Sequence, residues 1–377
     1  MIYKLAVEDF LERYRKERPL LFDARSPSEH AHAHIPGAVS FPLLNDAQRQ
    51  EVGITYKQKG KEAAVIKGFD LVGGQFGDFV RKAKSFFNEN AKLREVSREQ
   101  PRVFLYCWRG GLRSNIMAWV LSMAGFEVIL LKDGYKAYRN LMLNILEKPK
   151  KMVILGGKTG SGKTEMLTHL RNAGEQTVCL ETLANHRGSA FGALGMEPQP
   201  RNEHFENLLA EEWEKVNDDS IVWIENESQS IGSVVIPKKF FEKMRNAPVV
   251  EMVLDKPARI QRIIDEYGQF PVEELIDKTK KIEQRLGGLR THTAIEALQI
   301  GDFTTWVDEM LHYYDKAYQH GIDSRAKESV LQVEVNEKDF TDAHAKKIIE
   351  AARTMDDRPL AIEQSPSSAT EGPSSKA

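Results

Sequence analysis

The chain contains little cysteine. Only Cys107 and Cys179 occur among its 377 residues. Two thiols cannot form a disulfide framework or a four-thiolate zinc site, so both kinds of site are excluded. Cys179 stands in an apolar run and is predicted to be a buried core thiol. Cys107 ends another apolar run and opens a segment with glycines and arginines, so we expect the chemistry at Cys107.

Long apolar runs and a strong net charge are also missing. No apolar run approaches the roughly 20 residues of a membrane span, and the charged, amphipathic start is unlike a secretory signal. We therefore expect a cytoplasmic protein without a membrane partner. The net charge of −2 gives no indication for or against a nucleic-acid partner. Local basic clusters are typical of solvated helix faces, but several on one face would suit a phosphate backbone. They are Lys148, Lys150 and Lys151; Lys238 and Lys239; Lys278, Lys280 and Lys281; Arg285 and Arg290.

Short apolar runs alternate with helical patterns along the chain, which predicts an α/β fold with mainly parallel strands. Strands are expected near 20–22, 103–106, 128–131, 152–155, 177–180, 221–224, 249–254 and 330–335. Helices are expected near 114–123, 136–147, 163–171, 204–216, 237–245 and 257–266. We predict one domain over 1–148, a second over 149–355 with a helical C-terminal region, and a disordered tail over 356–377.

Residues 157–164 read Gly-Lys-Thr-Gly-Ser-Gly-Lys-Thr, between a predicted strand and a predicted helix. This is the full P-loop pattern in the setting that its mechanism requires. The glycines Gly157, Gly160 and Gly162 let backbone N–H groups surround phosphate oxygens at a helix N-terminus. Lys163 adds a positive charge, and Thr164 can ligate Mg²⁺.

A second carboxylate on the metal side is expected at the end of a later strand. Glu225 fits this position and Glu227 is the alternative, although an ordinary strand-terminal acid explains Glu225 equally well. The P-loop does not decide the fate of the phosphate. It can hold ATP in a kinase or ATPase, or the diphosphate of a leaving group.

Residues 107–114 read Cys-Trp-Arg-Gly-Gly-Leu-Arg-Ser. Converging N–H groups, a helix N-terminus and the flanking Arg109 and Arg113 are expected to lower the pKa of Cys107. Such a thiolate can take up a sulfur or selenium atom. Residues 23–29, residues 34–38 and the pair Gly134-Tyr135 resemble the sequences around the cysteine of rhodanese sulfurtransferases.

The spacing between Cys107 and Arg113 is also that of cysteine phosphatases, so a phosphatase is a competing interpretation. It is weakened because Tyr106 stands where phosphatases usually have histidine. The long loop can instead suit a phosphate-like donor such as selenophosphate. The predicted selenophosphate loop comprises Cys107, Trp108, Arg109, Gly110, Gly111, Leu112 and Arg113.

A rhodanese-like segment followed directly by a P-loop segment resembles the bacterial tRNA 2-selenouridine synthases. The resemblance covers nearly everything except the tail, and its most diagnostic part lies within residues 183–192. Other matching segments are 52–58, 107–111, 227–232 and 285–288.

The resemblance implies modification of the wobble uridine of tRNA. The sulfur of 2-thiouridine is first alkylated from geranyl diphosphate, and selenium from selenophosphate then replaces the geranylated sulfur. Cys107 would be the selenium-accepting nucleophile, and Lys163 with residues 157–164 would hold the prenyl diphosphate, with Mg²⁺ and without a tightly bound organic cofactor. His186 and Arg187 would contact diphosphate or tRNA, or else stabilise their loop.

Three other functions compete with this one. The first is a P-loop kinase or ATPase with a rhodanese module, for which rapid ATP turnover without RNA would speak. The second is a plain sulfurtransferase or phosphatase, which should work as the isolated 1–148 fragment. The third is a non-catalytic RNA-binding protein, which would need neither an intact P-loop nor an activated thiol.

Overall fold

The structure is a computed structural model that describes residues 1–89, 101–335 and 340–356. Residues 357–377, which make up nearly all of the predicted tail, lie outside the described residues. Within the described ranges, no helix is both long and apolar enough to span a lipid bilayer.

The first half of the chain builds a five-stranded sheet. Its strands are β1 (Ile2–Leu5), β2 (Leu20–Asp23), β3 (Val39–Ser40), β4 (Arg102–Tyr106) and β5 (Glu127–Leu131). They pair in parallel in the order β1-β5-β4-β2-β3. The helices are α1 (Val7–Glu17), α2 (Pro27–His32), α3 (Asp46–Val72), α4 (Phe76–Glu89), α5 (Leu112–Met123) and α6 (Gly134–Glu147).

The second half builds another parallel sheet and a short hairpin. Its strands are β6 (Met152–Gly157), β7 (Gln176–Val178), β8 (Val222–Glu225), β9 (Ser230–Ile231), β10 (Val234–Val235), β11 (Val249–Val253) and β12 (Val330–Glu334). Five of them pair in the order β12-β11-β6-β8-β7, while β9 and β10 form an antiparallel pair.

Helices surround this second sheet and continue beyond it. They are α7 (Lys163–Asn172), α8 (Leu180–Ala184), α9 (Asn202–Lys215), α10 (Lys238–Asn246), α11 (Lys256–Tyr267), α12 (Val272–Lys281), α13 (Glu283–Leu286), α14 (Gly288–Gln299), α15 (Phe303–Asp323) and α16 (Asp342–Asp356). The predicted α/β class with mainly parallel strands is confirmed.

The central strands are apolar along their whole length because helices cover both faces of a parallel sheet. Residues 103–106 of β4 and all of β6 are buried. Every strand and helix predicted from the sequence is present, and most of their ends differ from the prediction by one or two residues. Leu180 begins helix α8 and does not end strand β7.

The two halves pack through helices α6 and α9. Arg139 donates to the side chain of Asn207 at 2.8 Å and pairs with Glu206. A single buried cluster continues across this contact, from Phe10 and Tyr138 on one side to Trp213 and Val249 on the other. The two halves therefore share one continuous hydrophobic core.

Candidate functional site

The Cys107 loop leaves the carboxyl end of β4 and is clamped against the start of α6. The amide of Tyr135 donates to the carbonyl of Cys107 at 2.8 Å, and the amide of Lys136 donates to that of Trp108 at 3.0 Å. Gly134 has φ 62° in this contact, and a Cβ atom there would lie 2.2 Å from the Cys107 carbonyl oxygen. The Gly134-Tyr135 pair thus fixes the backbone that carries the thiol.

The Cys107 thiol lies at the base of a cavity of about 450 Å³ beneath the N-terminus of α5. Its side chain is 3% exposed, and its Sγ lies 3.1 Å from the Oγ of Ser114. Arg49, Arg109 and Arg113 line the same cavity. The predicted loop residues are therefore brought together around an opening of positive charge.

The three arginines differ in how they are held. Arg113 forms a two-pronged ion pair with Glu29, whose second contact measures 3.2 Å, and Arg49 lies 3.9 Å from the same carboxylate. Burial opposes ionisation of Glu29, but the bond from Arg113 outweighs it and lowers the pKa of Glu29. Arg109 is exposed and has no ion-pair partner within the described ranges. The expected effect of Arg109 and Arg113 on the thiol stays a prediction.

The upstream segment 23–29 supports the loop from behind. Arg25 is 1% exposed, donates to both oxygens of Asp23 and to the Ala33 carbonyl at 2.6 Å, and lies 4.0 Å from the centre of the Tyr135 ring. Burial opposes ionisation of Asp23 and is outweighed by hydrogen bonds from His30 and Arg25, so the pKa of Asp23 is lowered. A buried ion pair therefore fixes Tyr135, which in turn fixes the loop.

The P-loop joins β6 to α7 as predicted. Gly160 and Gly162 have φ of 79° and 76°, and Lys163 begins α7 with its Nζ 3.1 Å from the Gly157 carbonyl. A Cβ at Gly160 would lie 2.9 Å from the Arg259 carbonyl. The glycines are therefore needed both for the turn and for close packing against α11.

Two residues that sequence reasoning missed hold the P-loop in place. Arg259 donates to the Thr159 carbonyl at 2.9 Å and pairs with Asp315 of α15. The Tyr318 hydroxyl accepts from the amide of Gly157 at 2.7 Å. Both come from helices about a hundred or more residues downstream, so no local signal marked them.

Carboxylates gather beside Thr164, and the nearest one was also missed. The Thr164 hydroxyl donates to Glu181 at 2.7 Å, and the Glu181 amide donates to Glu225 at 2.7 Å. Burial, with the charge of Glu181, raises the pKa of Glu225 to about 7, and the same causes raise that of Glu227 to about 8. Glu181 follows β7 closely, and this position at a strand end was the available signal.

Protein side chains alone do not form a metal site in the part of the chain that the structure describes. Within residues 1–89, 101–335 and 340–356, no group of three or more His, Cys, Asp or Glu side chains is placed to hold a metal. However, Oε2 of Glu225 is buried without a hydrogen-bond partner. This orphaned oxygen belongs to a carboxylate that is linked to the P-loop threonine through Glu181, and it fits a cation that takes most of its ligands from phosphate and water.

A cavity of about 1370 Å³ opens from the P-loop. Lys163, Glu181, Glu227, His186 and Arg187 line it. Its lining also includes apolar and aromatic residues that belong to one hydrophobic cluster, namely Phe191, Ile263, Ile282, Trp306, Val307, Met310 and Leu311. The cavity can therefore receive a molecule with a phosphorylated end and an apolar body.

His186 and Arg187 both face this cavity, but Arg187 also stabilises its own loop. Arg187 donates to the Leu194 carbonyl at 2.7 Å and pairs with Glu266 at 2.8 Å. His186 is 7% exposed, and burial lowers its pKa, which favours the neutral ring. Both interpretations of Arg187 thus remain compatible with its position.

Cys179 was predicted to be a buried core thiol, and this prediction is wrong in degree. The residue is only partly buried beside the core because the chain leaves β7 there and turns into α8. Its sulfur accepts a bond from the Thr182 hydroxyl at 3.0 Å. Burial raises the pKa of the thiol to about 12, so it is a poor nucleophile.

Comparisons with known proteins agree with this architecture. Residues 6–141 match the model of the rhodanese-like domain, and residues 150–348 match the model described as the tRNA 2-selenouridine synthase AAA domain. The tRNA 2-selenouridine synthase of Shewanella denitrificans is 32% identical over 84% of this chain and 92% of its own length. That of Bordetella bronchiseptica is 35% identical over the same shares.

Two solved structures resemble parts of the chain. The N-terminal domain of a putative ATP/GTP binding protein from Clostridium difficile is 32% identical, covers 37% of this chain and 98% of its own, and has a TM-score of 0.31. A tRNA isopentenylpyrophosphate transferase from Bacillus halodurans is 13% identical, covers 55% and 99%, and also has a TM-score of 0.31. On the strength of the family models and the full-length relatives, the chain belongs to the tRNA 2-selenouridine synthase family.

Proposed function

We propose that this protein converts the wobble 2-thiouridine of tRNA into 2-selenouridine, using geranyl diphosphate and then selenophosphate. The names of its relatives support selenouridine formation on tRNA. The observation that carries the choice of geranyl diphosphate is the large cavity, which is lined both by P-loop residues and by residues of an apolar and aromatic cluster. A ligand with a diphosphate head and a hydrocarbon body matches both kinds of lining.

The first half-reaction is alkylation at the P-loop. The 2-thiouridine sulfur attacks the allylic carbon of geranyl diphosphate, the carbon–oxygen bond breaks, and diphosphate leaves with the electron pair. The uracil ring gives up its N3 proton. Lys163 and the loop N–H groups stabilise the negative charge that develops on the leaving group. Thr164 and Glu225 would hold Mg²⁺, which supplies further charge neutralisation at the diphosphate.

The second half-reaction is exchange at the Cys107 loop. The Cys107 thiolate would attack ring carbon 2 and expel the alkylated sulfur, the selenium of selenophosphate would then displace Cys107 from that carbon, and water would cleave the selenium–phosphorus bond to release phosphate. Alkylated sulfur leaves ring carbon 2 as geranylthiol, a better leaving group than sulfide, and a carbon–selenium bond replaces the carbon–sulfur bond. Selenium in selenophosphate is already at the level of selenide, so the net exchange needs water for the phosphoryl group and no oxidant. Arg49, Arg109 and Arg113 provide the positive charge that attracts this anionic donor.

Separate variants of the two sites test the proposal. Lys163→Ala is expected to slow geranylation of 2-thiouridine-containing tRNA by about 10²–10³-fold, because one charge-stabilising contact to the leaving group is lost. The same variant should still perform selenium exchange on tRNA that already carries S-geranyl-2-thiouridine. Cys107→Ser should show the opposite defects. Nucleoside mass spectrometry measures both products.

Cys179→Ser is the matched control for the thiol, and it should retain both activities. Normal geranylation by Lys163→Ala would exclude the diphosphate role of the P-loop and leave ATP as its better ligand. The kinase alternative further requires ATP turnover without RNA, which a phosphate-release assay on the wild-type protein measures.

A further inference from the structure

An aromatic side chain stands exposed at the mouth of the Cys107 cavity. Trp108 directly follows the nucleophile, lines the same cavity, and is 37% exposed. Exposed tryptophan is uncommon because leaving its large apolar surface in water is unfavourable. The selenophosphate role predicted for this loop uses charge and backbone N–H groups, so it does not explain the indole.

The indole is held from behind by a rigid support. Its ring lies 5.6 Å from the Tyr135 ring at 33°, and its carbonyl accepts from the Lys136 amide. Tyr135 is 0% exposed, donates to Glu203 at 2.8 Å, and accepts from Asn207 at 2.8 Å. One side of Trp108 is therefore fixed, while the rest of the ring faces solvent beside the thiol.

Positive charge and apolar surface surround the indole. Arg49 and the exposed Arg109 line the cavity, and Leu112, which is 50% exposed, adds apolar surface. Proteins bind unpaired bases by stacking them on aromatic rings and placing positive charge along the backbone. Chemistry at ring carbon 2 also requires the base to leave its stack and approach the reactive group.

We propose that Trp108 is the stacking surface on which the unstacked wobble base rests while selenium is delivered beside Cys107. The inference rests on the proposed function and deepens it, because it assigns a nucleobase subsite to a loop otherwise described by its anion chemistry. The ligand is an unpaired pyrimidine of RNA. Every base has a stacking face, so this contact supplies affinity and position, and the choice of base must come from elsewhere.

The test uses full-length protein, selenophosphate, and an anticodon stem–loop RNA that carries S-geranyl-2-thiouridine at the wobble position. Trp108→Leu keeps apolar bulk but removes the aromatic face, and it should raise the KM for RNA about 10- to 100-fold. The KM for selenophosphate and the rate of Cys107 alkylation by iodoacetamide should stay within about threefold of wild type, and Trp108→Phe should restore most of the RNA affinity.

Trp119→Leu is the matched control, since Trp119 is a 53% exposed tryptophan of α5 that does not line the cavity. An unchanged KM for RNA in Trp108→Leu would overturn the inference, as would a rise confined to selenophosphate or an equal loss in Trp119→Leu. Any of these leaves the proposed function standing if the wild-type exchange depends on Cys107. A wild-type protein that performs no exchange would instead refute the proposed function.

Discussion

Gly134 shows at the scale of one residue why the Gly134-Tyr135 pair matters. The missing side chain lets α6 begin against the Cys107 carbonyl, where a Cβ would lie 2.2 Å away. The neighbouring backbone cannot yield, because it carries the β4 end and the thiol. In the sequence, the Gly134-Tyr135 pair was identified only by its resemblance to rhodanese sulfurtransferases. The structure shows why a glycine is needed there.

Gly134→Ala is predicted to reduce selenium exchange at least about tenfold and to lower the melting temperature, because positive φ and a backbone clash add together. Geranylation at the P-loop should be less affected. Gly125→Ala is the control, since Gly125 has φ 94° but no atom within 4 Å of its would-be Cβ. Equal exchange defects in the two variants would show that positive φ alone, and not the contact with Cys107, is responsible.

Residues could be singled out from the sequence where a motif lies in neighbouring positions, and the chemical roles assigned to them stay predictions. Cys107 and Lys163 stand in continuous motifs, so both residues can be identified from the types and spacing of their neighbours in the sequence. Glu181 was missed because it meets Thr164 only after β7 and α8 have folded beside the P-loop. The sequence could not choose between Glu225 and Glu227 either, since their surroundings depend on how the fold places them around Glu181, and the metal role of either residue stays a prediction.

Strands could be predicted from the sequence where burial on both faces makes them continuously apolar. Edge strand β1 was missed because three of its four residues are exposed and leave no apolar run. Strand β3 and the β9–β10 hairpin were missed because two-residue strands have no readable period. Helix α3 is largely exposed and is interrupted at Gly60, where φ is 84°, so its helical pattern is weak.

The P-loop depends on α15 as an element, through the Tyr318 hydroxyl. Tyr318→Phe removes the acceptor of the Gly157 amide and leaves that donor without its partner, which costs about 1–3 kcal/mol when the group is buried. We predict a lower melting temperature and roughly tenfold slower geranylation, with selenium exchange unchanged. Tyr313→Phe is the control because its hydroxyl contacts Arg285 at the surface. If Tyr318→Phe geranylates at the wild-type rate, the activity of the P-loop does not depend on its contact with α15.

At the scale of the molecule, three histidines stack across the interface of the two halves. The rings of His30 and His34 lie 4.0 Å apart, and those of His34 and His204 lie 4.1 Å apart. Burial and the neighbouring charge of His34 lower the pKa of His204 to about 4. The Nδ1 atom of His204 faces the His34 amide at 3.4 Å as an acceptor, which requires the neutral ring.

A pKa below the unfolded value of about 6.5 means that the neutral form favours folding. The stability that the neutral His204 ring contributes to the fold is fully present above about pH 6.5 and is lost as the pH falls toward 4. Between about pH 7.5 and 5, wild type should lose up to roughly 2 kcal/mol more stability than His204→Gln. Urea denaturation at both pH values measures this. His292→Gln, at a 69% exposed side chain, should retain the wild-type loss, and equal losses in all three proteins would refute the prediction.

The proposed binding of tRNA is expected to depend on basic residues spread over the surface of the molecule. Arg290 already pairs with Glu309, so charge reversal there would disturb an internal contact. Lys280 and Lys281 are exposed at the end of α12 and are the better probes. Reversing both to glutamate should weaken tRNA binding and reduce its log–log salt slope by about two. Reversal of the exposed Lys346 and Lys347 of α16 should have a smaller effect, and similar losses in both pairs would argue against a basic surface near α12.

The packing of α6 on α9 also has a consequence during synthesis. The ribosome makes α6 before the P-loop, α7 and α8, and only then makes the helix that covers Tyr135 and Tyr138. Until α9 emerges, the nascent N-terminal half presents an apolar face with no partner, and such faces attract chaperones and aggregate. Nascent chains stalled on the ribosome between α8 and α9 should therefore bind chaperones. Chains stalled after α9 has emerged should not.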